Sequence, residues 1–432
     1  MILTDDESLM LQVKGAQRKF AAMAATYFLG VFNDNFFKEA VMLLAVSARK
    51  SELQGYATVL FSLPFLLFAS SSGWLADRFP KRNVVIGVKG LELVAMICGA
   101  IGVYYTNWGL VLVMLFIMGI WAAVFNPSLN GTIPELYPAR YVTRANGIIR
   151  MVSTTAILAG FALAGVALDV KGISAHGVPL GRLVVAIAVI AISALGVLVS
   201  LGVPQRPAAS PGARYPWTGP IHTMGELWKI RKDKLLDINI SAGVFIWFVG
   251  ASQIMILNNL GQKQFHMSNS LTSGLIAAEM FGIAAGGMMA GRLSAGPRWH
   301  RVLSPAVGIM GLFMIAMMGI PHLPAALQCP ALYVNLAIMG MMGGLFMIPV
   351  ESFIQVRPAP QRKGTVIAAA NFAMFGGILL SGPFANLMNQ YFEPTSSFAL
   401  MGVMAVIVSV RLFVALPSRG EFEGASSPGG EM

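Results

Sequence analysis

Apolar residues along this chain gather in twelve stretches separated by polar connections. Their approximate limits are 20–46, 55–75, 84–105, 108–126, 145–168 and 182–203, then 236–260, 270–290, 302–321, 331–350, 365–388 and 396–416. A helix rises about 1.5 Å per residue, so each stretch reaches across the roughly 30 Å of hydrocarbon in a bilayer. The pattern predicts an all-α membrane protein with twelve transmembrane helices. One connection is longer than the rest. Residues 204–234 begin rich in Pro and Gly and end in Met224-Gly225-Glu226-Leu227-Trp228-Lys229-Ile230-Arg231-Lys232, which reads as a linker closed by a short surface helix with Trp228 at the lipid interface. It divides the chain into a six-helix bundle over 1–203 and a second over 235–418, with 419–432 as a disordered tail.

The two halves echo one another. Gly73-x-x-x-Asp77-Arg78 matches Gly287-x-x-x-Gly291-Arg292 at an offset of 214, and Pro127, Arg140 and Gly160 match Pro349, Arg362 and Gly382 at an offset of 222. Weak internal symmetry of this kind is what transporters built from two helical repeats around a central cavity show.

The alternation breaks in one informative place. The first span is interrupted by Phe32-Asn33-Asp34-Asn35-Phe36-Phe37-Lys38-Glu39. An Asp or Lys at the centre of a membrane helix costs about 2.5 to 3.5 kcal/mol, so that side of the helix must meet protein or water, and the default reading is a polar route. On a helix Asp34 and Lys38 are four apart and can pair, with Asn35 and Glu39 as an adjacent row. Together they offer an acceptor for an ammonium and a donor for a phosphate, as a zwitterionic head group needs. A salt bridge that only locks the helix in place is the structural alternative, and a proton-coupling role for Asp34 or Glu39 is also open.

Composition supports the membrane reading: 56% of residues are hydrophobic and 11% charged, which no soluble domain of 432 residues matches. The net charge of +11 has a topological origin. Of the 30 Lys and Arg, 21 fall in the N-terminus, alternate connections and the C-terminus, and Arg150 lies just inside the fifth span beside one of them, which predicts that both termini are cytoplasmic. With the basic residues so dispersed among loops, a nucleic-acid reading of the charge is unnecessary and no such partner is expected. The opening Asp5, Asp6 and Glu7, and a first apolar segment too long for a signal sequence, predict that the first span is retained. Cys98 and Cys329 form no metal-ligand spacing, and the five scattered histidines form none either. With no nucleophile elbow or phosphate loop, neither an enzyme nor an ATP-driven pump is expected, and no cofactor.

Gly73-Trp74-Leu75-Ala76-Asp77-Arg78-Phe79-Pro80-Lys81-Arg82, in the basic loop between the second and third spans, resembles the signature of the major facilitator superfamily. The resemblance implies that Gly73 permits tight helix contact. It also implies that Asp77, with Arg78 and Arg82, acts in gating by stabilising one state of alternating access. Pro80 stands where the pattern has a second glycine and Asn83 where it has a basic residue. Phe28-Leu29-Gly30-Val31-Phe32-Asn33-Asp34-Asn35 with Phe37-Lys38 is similar to the first-helix motif of the lysophospholipid transporter family, especially members fused to an acyltransferase and an acyl-carrier-protein ligase. Gly343-Gly344-Leu345-Phe346-Met347-Ile348-Pro349 with Gln355, and Ala145-Asn146-Gly147, fit the same family. That likeness implies a flippase carrying lysophospholipids such as lysophosphatidylethanolamine from the outer to the inner leaflet of the bacterial inner membrane. It implies membrane lipids as surroundings and a separate acyltransferase/acyl-carrier-protein ligase as partner.

Further polar residues within spans are candidates for the same route. Lys89 and Glu92, three apart in the third span, can neutralise one another or meet substrate. Glu279 in the eighth span has no local partner and is the second candidate carboxylate. Glu351 follows Pro349 as a gate contact, and Asn371, Gln253, Asn258 and Asn259 are amides that contact either a head group or neighbouring helices. A proton-coupled transporter of a small amphiphile or metabolite remains the alternative on the same fold. A non-transporting scaffold is disfavoured by the buried charge.

Overall fold

The computed structural model describes residues 5–130, 132–137, 139–205, 207–208, 210–212, 214–293, 299–359 and 362–416. The tail expected at 419–432 and the side chains of Pro127 and Arg140 lie outside that set. Fifteen α-helices run through the described residues: α1 (Asp5–Ser47), α2 (Glu52–Leu67), α3 (Ala69–Arg78), α4 (Lys81–Tyr105), α5 (Trp108–Asn130), α6 (Ile133–Leu136), α7 (Ala139–Leu168), α8 (Leu180–Ser200), α9 (Gly219–Ile230), α10 (Lys234–Asn259), α11 (Asn269–Leu293), α12 (Leu303–Ala316), α13 (Ala325–Val356), α14 (Lys363–Tyr391) and α15 (Pro394–Ala415). Ten segments are long and apolar enough to cross a membrane singly, α12 with its flanking turns among them, and the bent pair α2 and α3 makes an eleventh. The longest helix is α1, at 43 residues. Its polar centre dilutes its apolar character and sets it apart from the ten. Each of the twelve apolar stretches therefore falls on helix.

The second stretch is not one straight rod: α2 and α3 meet at Phe68 with a 54° bend. Pro64, one turn earlier, has no N–H to give the helical ladder, which weakens the helix there.

The chain forms two compact units, Met1–His222 with Met267–Ser273, and Thr223–His266 with Gly274–Met432. In the first, α1 packs on α7 and α8, α4 on α5 and α8, and α2 on α5. Phe37, Met96, Leu115, Val185 and Val189 fill its centre. Asp169, one residue past α7, closes this unit by holding the segment that opens α11. Its carboxylate accepts from the backbone N–H of Asn269 at 3.1 Å and of Ser270 at 2.7 Å, and from the side chains of both. Partial burial pushes Asp169 up, but the hydrogen bonds from Ser270, Asn269 and Ser268 outweigh it and hold the carboxyl below the usual carboxylate range.

In the second unit α10 packs on α13 and α14, and α12 on α13 and α15. A seam of glycines brings α11 and α13 into backbone contact: a methyl group at Gly282 would strike the Ala337 carbonyl, at Gly286 that of Met341, at Gly340 that of Glu279, and at Gly344 that of Ile283. Lipid chains are as apolar as the side chains between helices, so close dispersion contact of this sort replaces the hydrophobic drive of a soluble core. At the end of α10, a π-helical turn over Leu260–Gln264 re-aims Gln264, whose amide bonds Thr395 at the start of α15 in both directions, at 2.9 and 3.2 Å. Leu198, Phe281, Leu312 and Phe413 stay exposed, as the outer surface of a lipid-solvated protein requires.

Candidate functional site

The rotation of α1 is set by what packs behind it. Gly160 of α7 lies against the α1 backbone, where an added methyl would sit 2.8 Å from the Phe32 carbonyl and 3.0 Å from the Phe36 N–H. Phe37 presses its ring onto Gly99 of α4, and Phe28, Phe32 and Phe36 stack at successive turns with centroids 6.0 and 5.7 Å apart. Buried Asn33 donates to the Val189 carbonyl of α8 at 3.3 Å. With that face fixed, Tyr27, Val31, Asp34, Asn35 and Lys38 form a half-exposed stripe at helical spacing. The polar stretch thus splits: Asp34, Asn35 and Lys38 remain accessible, and Asn33 and Glu39 do not.

One expectation is corrected here. The Asp34–Lys38 ion pair is not made. Lys38 instead sets its ammonium over the rings of Phe61 and Phe161, 5.1 and 5.5 Å from their centroids. Aromatic faces from α2 and α7 flank the lysine and satisfy it in a setting where cation–π attraction is strong. Glu39 follows Asn35 by one turn on the same row of α1, as the spacing predicts, but it has no exposed surface whereas Asn35 is half-buried, so the row enters the packed interior at Glu39. The Asn35 side-chain N–H turns back to the Val31 carbonyl at 2.7 Å.

What the fold adds is a second charged layer from α4. Lys89 donates to Glu92 at 2.6 Å, and the pair is almost completely buried. The Lys89 ammonium lies 4.5 Å from the centroid of Phe125 and against Gly30 of α1, one turn before Asp34. Asp34 interacts electrostatically with Glu92, Lys89 and Lys38 together. Lys89 and Glu92 therefore neutralise each other, as the three-residue spacing allows, and do so beside Asp34.

Other predicted residues are more dispersed. In the first unit Asp77 is exposed, with its carbonyl accepting from Ser210 N–H at 2.8 Å. Arg78 stacks its guanidinium on Trp74 at 5.6 Å, and Arg82 donates to the Leu201 carbonyl at 3.0 Å. Gly73 has open space around it, so the tight contact expected there is absent. Trp74, Arg78, Gly212, Arg214, Tyr215 and Trp217 line a surface cavity of about 530 Å³ where residues of the long connection fold back on α3. In the second unit Glu279 is buried and has no hydrogen-bond or ion-pair partner among the described residues. Gln253, Asn258 and Asn259 are buried in α10, Glu351 is half-buried and Asn371 is exposed on α14.

The sequence profile of the Major Facilitator Superfamily matches residues 20–382, most of the chain and both units. The chain belongs to the Major Facilitator Superfamily. It is a multi-pass membrane transporter. Proteins named Lysophospholipid transporter LplT, from Yersinia pestis (strain Pestoides F) and Yersinia pseudotuberculosis (serotype O:3, strain YPIII), are 25% identical over 350 residues, covering 79% of this chain and 79% of each relative. Among solved structures, the inward-open xylose transporter XylE from E. coli is similar with a TM-score of 0.68 at 13% identity, covering 93% of this chain and 98% of that one. The nucleoside transporter NupG is similar with a TM-score of 0.66 at 14% identity, covering 93% and 99%. Identities this low speak for the superfamily fold alone.

Several residues that shape this superfamily member's first unit carried no recognisable signal. Phe61 and Phe161 are ordinary aromatic residues of apolar spans until the fold sets them on either side of Lys38. Gly30 belonged to the first-helix motif, but its use, making room for the Lys89 ammonium, needs the neighbouring helix. Asp169 was the most legible omission: an acid just past the end of a span, matched by Ser268-Asn269-Ser270 just before another.

Proposed function

We propose that this chain is a lysophospholipid flippase that moves lysophospholipids such as lysophosphatidylethanolamine from the outer to the inner leaflet of the inner membrane for reacylation, by alternating access. The observation that carries the reading is the half-exposed stripe of α1, which presents a carboxylate, an amide and an ammonium midway along a membrane helix, backed by the Lys89–Glu92 pair. Asp34 receives the head-group ammonium and Lys38 the phosphate, while Asn35 completes the polar track and the acyl chain stays with lipid. Glu279 supplies a second carboxylate in the other unit, and Asn371 a second amide. Asp77, Arg78 and Arg82, with Glu351, set the balance between access states. The similarity to lysophospholipid transporters supports the choice of cargo. Basic residues concentrated in alternate loops support cytoplasmic termini. An acyltransferase/acyl-carrier-protein ligase takes the product.

The test is flipping of fluorescent lysophosphatidylethanolamine in proteoliposomes. A charge-assisted hydrogen bond is worth about 1.5 to 3 kcal/mol, so Asp34→Asn and Lys38→Ala should each slow flipping by roughly ten- to a hundredfold with insertion intact. Wild-type rates in both would remove the assigned roles.

A proton-coupled transporter of a small amphiphile, drug or metabolite is the second reading, favoured by Glu279, a buried carboxylate with no partner among the described residues. It expects transport driven by an imposed pH gradient and lost in Glu279→Gln; indifference to the gradient rejects it.

A further inference from the structure

The helix α9 leaves unexplained what its outer side meets. Successive residues of a helix turn by about 100°. On that projection Thr223, Glu226, Leu227 and Ile230 share the side turned to protein, where Glu226 and Ile230 are buried. Ile221, Met224 and Trp228 share another side and are 72%, 60% and 71% exposed; Trp217, two residues ahead of the helix and four before Ile221, extends their spacing and is 85% exposed. His222, Gly225 and Lys229 lie along the edge between. Four large apolar residues at 217, 221, 224 and 228 keep the interval of a continuous helical stripe, and among the described residues nothing covers them.

The position of α9 restricts the occupant. Only Arg231, Lys232 and Asp233 separate it from α10, a membrane span, so its end lies within about 14 Å of where that span begins. Its protein-facing side is anchored: Glu226 accepts from Arg362 at 3.0 Å and Lys229 at 2.6 Å, and those bonds hold its carboxyl below the usual carboxylate range. Cations border the apolar side. Arg231 stacks on Trp228 at 4.8 Å, Lys229 and Lys232 are exposed, and Arg78 and Arg214 line the cavity walled by Trp217. Tryptophan beside lysine and arginine, on a helix that runs along a membrane boundary, matches the chemistry of a leaflet bearing anionic phospholipid.

We propose that α9 is an in-plane anchor whose Trp217, Ile221, Met224 and Trp228 enter the anionic-lipid surface of the leaflet at which α10 begins. The role is separate from cargo recognition and does not depend on which substrate is carried.

The test uses the full chain with Cys98→Ser and Cys329→Ser, single cysteines placed in turn at 221, 222, 224, 225, 228 and 229, and spin labels read for access to oxygen and to a water-soluble nickel complex. The protein is reconstituted in phosphatidylcholine vesicles with or without phosphatidylglycerol. The expected result is an oxygen-to-nickel ratio several-fold higher at 221, 224 and 228 than at 222 and 225, rising further with phosphatidylglycerol. Arg231→Gln with Lys232→Gln should abolish that rise and leave the residue-to-residue pattern. A ratio that is level across 221–229 overturns the proposal. So does shielding from both reagents that fades as the protein is diluted, which would mean a second copy covers the stripe.

Discussion

Breaking the Lys89–Glu92 pair is the sharpest test of the charged layer behind α1. At 2.6 Å the two charges attract by about 6 kcal/mol if the effective dielectric constant is about 20. Desolvating both groups offsets most of that, so the intact pair is near break-even against apolar residues of similar size. Removing one member is different. Lys89→Met leaves the Glu92 carboxylate buried beside Asp34, and Glu92→Leu leaves an ammonium wedged against Gly30 and Phe125. Each single change is expected to destabilise the protein by about 3 to 5 kcal/mol, and the double change by about 1 kcal/mol or less. Unfolding in mixed micelles, followed by circular dichroism for wild type, both single variants and the double variant, gives the coupling directly. If the double loss equals the sum of the single losses to within about 0.5 kcal/mol, the two groups act independently and the reasoning fails.

The remaining predictions concern packing and pH. Gly286→Val drives a branched side chain into the Met341 carbonyl of α13 and should lower the melting temperature in detergent, as overpacking of about 1 to 3 kcal/mol would; Gly291→Val, at a position with open space, should be nearly silent, and equal effects would refute the glycine seam. Asp169 caps the start of α11 from outside that helix, so Asp169→Ala should cost about 1 kcal/mol at neutral pH. Because its folded carboxyl sits below its unfolded value near 3.9, that stability is fully present above about pH 4 and is lost as pH falls further, through the folded value. Thermal melts of wild type and variant should therefore converge in acid, and a gap that persists there argues against a charged cap.

Much of the architecture was legible in the residues because a bilayer leaves backbone few options. Twelve apolar stretches had to become helices, and they did, since unpaired backbone groups are not tolerated in hydrocarbon. The polar interruption of the first span was visible for the same reason: Asn33, Asp34, Asn35, Lys38 and Glu39 violate the rule that the rest of the chain obeys.

Which of those residues stay accessible was decided by neighbours about 60 to 160 positions away in the sequence. A single helix presents every side in turn, and only the close approach of Gly160, the ring of Phe37 on Gly99 and the Asn33 bond to α8 choose the rotation that exposes Asp34 and Lys38 while sealing Glu39. Local spacing offered Asp34 as the partner of Lys38, but the spacing of one helix cannot anticipate Phe61 and Phe161 arriving from two others. The sequence by itself determined where the helices lie and that charge is buried within them. Tertiary packing alone decided which charge meets which, because the energy of a buried group depends on what surrounds it in space.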